Sequence, residues 1–206
     1  MKTKISNNQF NLNKKKMKNL KITTLALVAL LALSSCSVDD LPPVNEEELI
    51  TTITAVFTPQ GGGTPITLQY KDLDGDGPNA PLTSVSGNFA QSKTYDGAVT
   101  FKNEAANPIE EITPEIIAEG VDHQLFYEKT GTLNAFTYGT ASSNFDVNGK
   151  PIGLQSIFTT TGAASGTLKI TLKHLPNKSG VNVAAGDITN AFGNTDVEVV
   201  FNLTVQ

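Results

Sequence analysis

An all-β fold, an antiparallel Greek-key-like sandwich of about eight or nine strands, is predicted for residues 48–206 by two observations. Short runs rich in Thr, Val, Ile, Phe and Tyr alternate with clusters of Gly, Asn, Asp and Pro. Several of these runs also carry apolar side chains at every second position, the period of a strand with one face buried. Strands are expected at 49–57, 65–70, 82–89, 94–102, 122–128, 132–138, 153–160, 165–174 and 196–205.

The clearest alternation comes late in the chain. Leu168, Ile170 and Leu172 share one face, and Val197, Val199, Phe201, Leu203 and Val205 share another, opposite Glu198, Asn202 and Thr204. Earlier, Gly97, Val99 and Phe101 do the same. Gly61-Gly62-Gly63 sits between two predicted strands and reads as a hairpin turn. The stretch 107–120 holds Pro108, Pro114 and four Glu around four Ile, which predicts a loop or one short helix begun at Thr113-Pro114.

Upstream of the domain the composition changes. All fifteen basic residues are Lys, seven of them precede Ile22, and no acid occurs before Asp39. The basic stretch is followed by eleven almost wholly apolar residues, Thr23 to Leu33, and then by Ser34-Ser35-Cys36. That order matches a secretory signal, and eleven residues are too few to span a bilayer. Residues 1–35 are therefore expected to be a signal peptide, with 1–16 an upstream start because Met17-Lys18 begins a complete signal of its own. Residues 36–47, acidic and containing Pro42-Pro43, are expected to form a tether. Loss of 1–35 leaves eight Lys against twenty acids, a net charge of −12 with His neutral. Such a surface repels phosphate backbones, so no nucleic-acid partner is expected.

Leu33-Ser34-Ser35-Cys36 resembles the lipobox of bacterial lipoproteins, which implies that Cys36 is acylated and anchors the mature chain. Ser37-Val38-Asp39-Asp40 resembles the acidic tract that sends Bacteroidota lipoproteins to the cell surface. With Cys36 acylated, no thiol remains, and the domain must be held by its core alone.

The domain carries a wider resemblance. Glu46-Glu47-Glu48-Leu49-Ile50, Gly61-Gly62-Gly63-Thr64-Pro65, Asp72-Leu73-Asp74-Gly75-Asp76-Gly77 and Ile112-Thr113-Pro114-Glu115 follow the order of a family of small Bacteroidota (flavobacterial) lipoproteins. So do Glu119 to Phe126, Gly166-Thr167-Leu168, His174-Leu175-Pro176-Asn177-Lys178 and Thr195-Asp196-Val197-Glu198-Val199. Members are often labelled "type 1 periplasmic-binding fold" proteins, and some are encoded near TonB-dependent outer-membrane receptors. The resemblance implies a role beside nutrient or metal uptake and carries no catalytic residues. Its fold label would require two α/β lobes, whereas the residue pattern predicts strands.

Three constellations bear on chemistry. Asp72, Asp74 and Asp76 alternate before Gly77, a spacing that suits calcium, but the twelfth position of an EF-hand loop would be Thr83 rather than Glu. The same residues also make an ordinary Asp/Gly turn. The two histidines, His123 and His174, lie in or at the ends of predicted strands, with Asp122 beside one. Imidazole with carboxylate suits a transition metal, while single histidines on strands are commonly only hydrogen-bonded. The Glu runs 46–48 and 110–111 read as solvated charge. No serine stands in Gly-x-Ser-x-Gly, and the absence of Trp leaves no aromatic platform for a glycosidase cleft.

The sequence thus predicts a non-enzymatic lipoprotein of the outer membrane, facing the periplasm or the cell surface and held to the membrane by its lipid. Its expected work is binding a metal, a chelate or a small nutrient, and the resemblance implies that it does so as an accessory to a TonB-dependent receptor. The alternative is a calcium-stabilised structural or adhesive surface module.

Overall fold

Strands with one apolar face must bury it, and here two antiparallel sheets do so against each other. The computed structural model describes residues 49–75 and 77–206; the expected signal peptide (1–35), Cys36, the expected tether (36–47) and Asp76 lie outside the described residues. The strands are β1 (Thr52–Pro59), β2 (Ile66–Lys71), β3 (Leu82–Val85), β4 (Thr94–Asn103), β5 (Glu110–Glu111), β6 (His123–Lys129), β7 (Phe136–Tyr138), β8 (Gln155–Thr159), β9 (Ala164–His174) and β10 (Asn194–Val205). One helix, α1 (Thr113–Ala118), lies between β5 and β6.

The larger sheet runs β3-β2-β1-β4-β8-β7, with β5 paired to the end of β4, and the smaller runs β10-β9-β6. Three consecutive strands followed by a fourth beside the first is the Greek-key order. The fold is therefore the all-β sandwich that the alternation predicts. It has one short strand more than expected, the two-residue β5. The strand expected at 132–138 narrows to Phe136–Tyr138: Thr132 turns instead to the β9 backbone, donating its N–H to the Ser165 carbonyl at 2.9 Å.

Between the sheets lies a core dominated by phenylalanine. Phe57, Phe89, Phe101, Phe158 and Phe201 are fully buried, each contributing about 1.5–3 kcal/mol on burial. Phe158 stacks on Phe136 at 4.2 Å and meets Phe89 edge-on at 5.1 Å. The predicted apolar rows of β9 and β10 form the opposite wall, with Leu168, Ile170, Leu172, Val199, Phe201, Leu203 and Val205 buried.

The helix is one turn and a half, started by Pro114, which lacks the N–H that a first turn leaves unbonded. Thr113 Oγ1 accepts the Phe101 N–H at 2.8 Å, and Ile116 is buried beneath. The connection from α1 to β6, residues 119–122, is a tight turn in which Asp122 N–H donates to the Glu119 carbonyl at 2.8 Å. That turn delivers the first residue of β6 to one end of the smaller sheet.

Candidate metal centre

Both histidines fall on the core-facing side of the smaller sheet, each one step beyond an apolar row. His123 precedes Leu125 on β6, and His174 follows Leu172 on β9. Antiparallel pairing of β6 with β9 sets them directly opposite each other. Their rings stack, with centroids 4.9 Å apart and planes inclined by 10°. Both residues are buried, at 1% and 5% exposure.

The third member comes from β10. Regular alternation would put Asp196 on the solvent face, opposite to Val197 and Val199. The ladder between β9 and β10 instead shifts between Thr195 and Val197, because Thr195 pairs with Lys173 and Val197 with Leu172. Asp196 is the extra residue of this β-bulge, a device that turns a side chain across a sheet. Its carboxylate, 2% exposed, lies 3.8 Å from His123 Nε2 and 3.8 Å from His174 Nδ1. One donor atom from each of the three residues lies within 4.8 Å of the others, and among the described residues this is the one such group of three or more His, Cys, Asp or Glu.

The turn before β6 chooses which nitrogen His123 offers. Its Nδ1 is 3.3 Å from the Glu119 carbonyl. A carbonyl oxygen only accepts, so this bond places the proton on Nδ1 and leaves the Nε2 lone pair toward Asp196 and His174. A backbone carbonyl behind a ligating imidazole is the usual arrangement of a metal-bound histidine. Burial pushes His123 below the ordinary imidazole range; the bond to Glu119 opposes that push, and the neighbouring His174 reinforces it. A neutral imidazole is the form that ligates a metal.

The three strand ends are tied together by residues 174–178. Leu175 N–H donates to the Asp122 carbonyl at 2.6 Å, and Asn177 N–H donates to the Ala191 carbonyl at 2.6 Å. Gly193, at φ +67°, passes so close that a Cβ there would lie 2.3 Å from the His174 carbonyl oxygen, which requires glycine. Leu175 and Phe192 both have positive φ, 50° and 51°, with their apolar side chains exposed.

Lys178, 6% exposed, extends its ammonium under the turn before β6. It donates to the Gly120 carbonyl, to the Pro151 carbonyl at 3.0 Å and to Asp146 Oδ2 at 3.0 Å. Three N–H donors thus meet three acceptors, as a buried ammonium needs. Burial draws Lys178 below the ordinary lysine range against the opposing pull of Asp146.

Two nitrogen donors and one carboxylate oxygen suit zinc or another first-row divalent ion better than calcium or magnesium, which take oxygen alone. Asp72 and Asp74 fall elsewhere, at the end of β2 and the loop after it. Asp72 Oδ2 accepts the Tyr70 hydroxyl at 3.2 Å. Asp74 Oδ2 accepts both the backbone and side-chain N–H of Asn79, at 3.2 and 2.7 Å. Asp122, beside His123, engages through its carbonyl and is not one of the three donors. The sequence alone does not single out Asp196 as the third donor of the cluster or Lys178 as a buried cation. The signal for Asp196 was an acid at the head of an otherwise alternating strand; Lys178 left none.

Comparison with protein-family models, with curated proteins and with solved structures finds no match to this chain.

Proposed function

We propose that this chain is a lipid-anchored, non-catalytic binding module that holds one divalent transition-metal ion of the zinc class through His123, His174 and Asp196. The convergence of two imidazoles and a bulge-directed carboxylate from three adjacent strands carries this reading. A single Nδ1–H tautomer at His123 adds to it, since the opposite tautomer would turn an N–H rather than a lone pair toward the other donors. The signal pattern and Cys36 support a location outside the inner membrane, on the outer membrane. The lipoprotein resemblance stated above supports a role beside a TonB-dependent receptor, as an accessory to uptake of the metal or its chelate.

The test is to strip the full chain with chelator in detergent, add zinc or calcium separately, and read native mass and melting temperature. One zinc per chain with a raised melting temperature is expected, and calcium should leave both unchanged. A shift with calcium alone would favour the structural-module alternative, and no shift with either ion would refute the metal reading. In the producing cell, Cys36→Ser should release the protein from membranes; continued membrane association would refute the anchor.

A further inference from the structure

The buried lysine lies behind the proposed metal centre, and its contacts single out one turn. Residues 119–122 present two consecutive carbonyls. Glu119 offers its oxygen to His123 Nδ1, and Gly120 offers its oxygen to Lys178 Nζ. The two belong to successive peptide planes of one tight turn, closed by the Gly120 N–H on the Ile117 carbonyl at 3.2 Å and the Asp122 N–H on the Glu119 carbonyl at 2.8 Å, so displacing one carbonyl disturbs the turn that carries the other. Lys178 is itself fixed from two further sides, by Asp146 and by the Pro151 carbonyl. Its backbone is four residues beyond His174, on the segment that ties β9 to the turn and to the approach of β10.

We propose that Lys178 is a positioning residue for the metal centre: by gripping the Gly120 carbonyl it holds the turn that presents the Glu119 carbonyl to His123, and so fixes which imidazole nitrogen faces the metal. The inference rests on the metal reading for its purpose but not for its test. At 3.3 Å the Glu119 contact is already longer than the usual hydrogen bond. A small rotation of the turn breaks it. Without that acceptor the proton is free to occupy Nε2, where it blocks the lone pair that His123 offers to the ion. The ammonium never touches the metal; it acts through the backbone.

Two histidines make the test direct. The full chain, labelled with nitrogen-15 at histidine only and held at pH 8 in detergent without metal, reports the tautomer of each ring through its nitrogen shifts. His174→Gln assigns the His123 signals. Wild type should show Nδ1–H at His123. Lys178→Met should give a mixture or the opposite tautomer and should weaken zinc binding about 10–100-fold, the usual effect of losing support behind a ligand. Asp146→Asn keeps the lysine but removes its counter-charge, and should move both readouts in the same direction by less. It serves if the methionine variant does not fold. A pure Nδ1–H tautomer retained in every variant that folds would overturn the role of Lys178, whatever the zinc affinity. A wild type that does not bind zinc would overturn the metal reading alone, because the tautomer shift still decides what Lys178 does.

Discussion

Gly193→Ala separates the cost of a left-handed backbone from the cost of disturbing the proposed metal centre. Gly193 has φ +67°, and an alanine Cβ there would lie 2.3 Å from the His174 carbonyl oxygen and 2.7 Å from that of Leu175. Gly61, in the β1–β2 hairpin, has φ +79° with nothing within 4 Å of the same atom. The left-handed conformation alone costs a non-glycine residue about 1–2 kcal/mol, and that is the whole effect expected of Gly61→Ala. Gly193→Ala adds a clash with backbone, which cannot be relieved by a rotamer. A forced shift of this kind costs about 1–3 kcal/mol more. The displaced chain leads directly to Asp196, three residues on, and abuts His174, so two of the three donors move. Urea unfolding and zinc titration of both variants give the readout. Gly193→Ala should be the less stable by about 1–3 kcal/mol and should alone bind zinc more weakly, about tenfold or more. Equal stabilities with unchanged zinc affinity would refute the claim that this close approach positions the site.

Other outcomes follow from the same geometry. Phe158→Ala, which removes a ring packed on both Phe136 and Phe89, should cost about 3–5 kcal/mol in urea unfolding; a loss under 1 kcal/mol would place the core elsewhere. Asp146 is pushed up by burial, but the Lys150 N–H, the Lys178 ammonium and the Asn148 N–H outweigh that and hold it below the ordinary carboxylate range. Its contribution to stability is therefore complete above about pH 3.9, the unfolded value, and is lost as pH falls through the lower native one. Asp146→Asn should flatten that acid limb of the stability curve, and an unchanged limb would show that the pair does not hold. Asp74→Asn with Asp76→Asn should lower the melting temperature equally in calcium and in chelator, since Asp74 is engaged with Asn79. A loss confined to calcium would instead establish a calcium site there.

The parts of the fold that depend on local pattern were legible. Alternation along 94–102, 165–174 and 196–205 marked β4, β9 and β10 because a half-buried strand must repeat every two residues. Thr113-Pro114 marked the helix for an equally local reason. β7 came out shorter than its apolar content suggested because the Thr132 hydroxyl donates to the Ser165 carbonyl and accepts the Ser165 N–H, a tertiary choice. The site divides along the same line. His123 and His174 were readable as strand residues, yet their meeting depends on the pairing of β6 with β9, which strand periodicity does not encode. Asp196 was hidden more deeply, since a bulge reverses the face that alternation assigns. Lys178 was hidden too, because its burial depends on three acceptors separated from it by 27, 32 and 58 residues.

The most direct measurement is anomalous diffraction at the zinc edge from crystals of the protein grown with zinc. One strong peak is expected, in contact with His123 Nε2, His174 Nδ1 and an Asp196 carboxylate oxygen. No peak there, or a peak only at surface carboxylates or in the loop after β2, would contradict it.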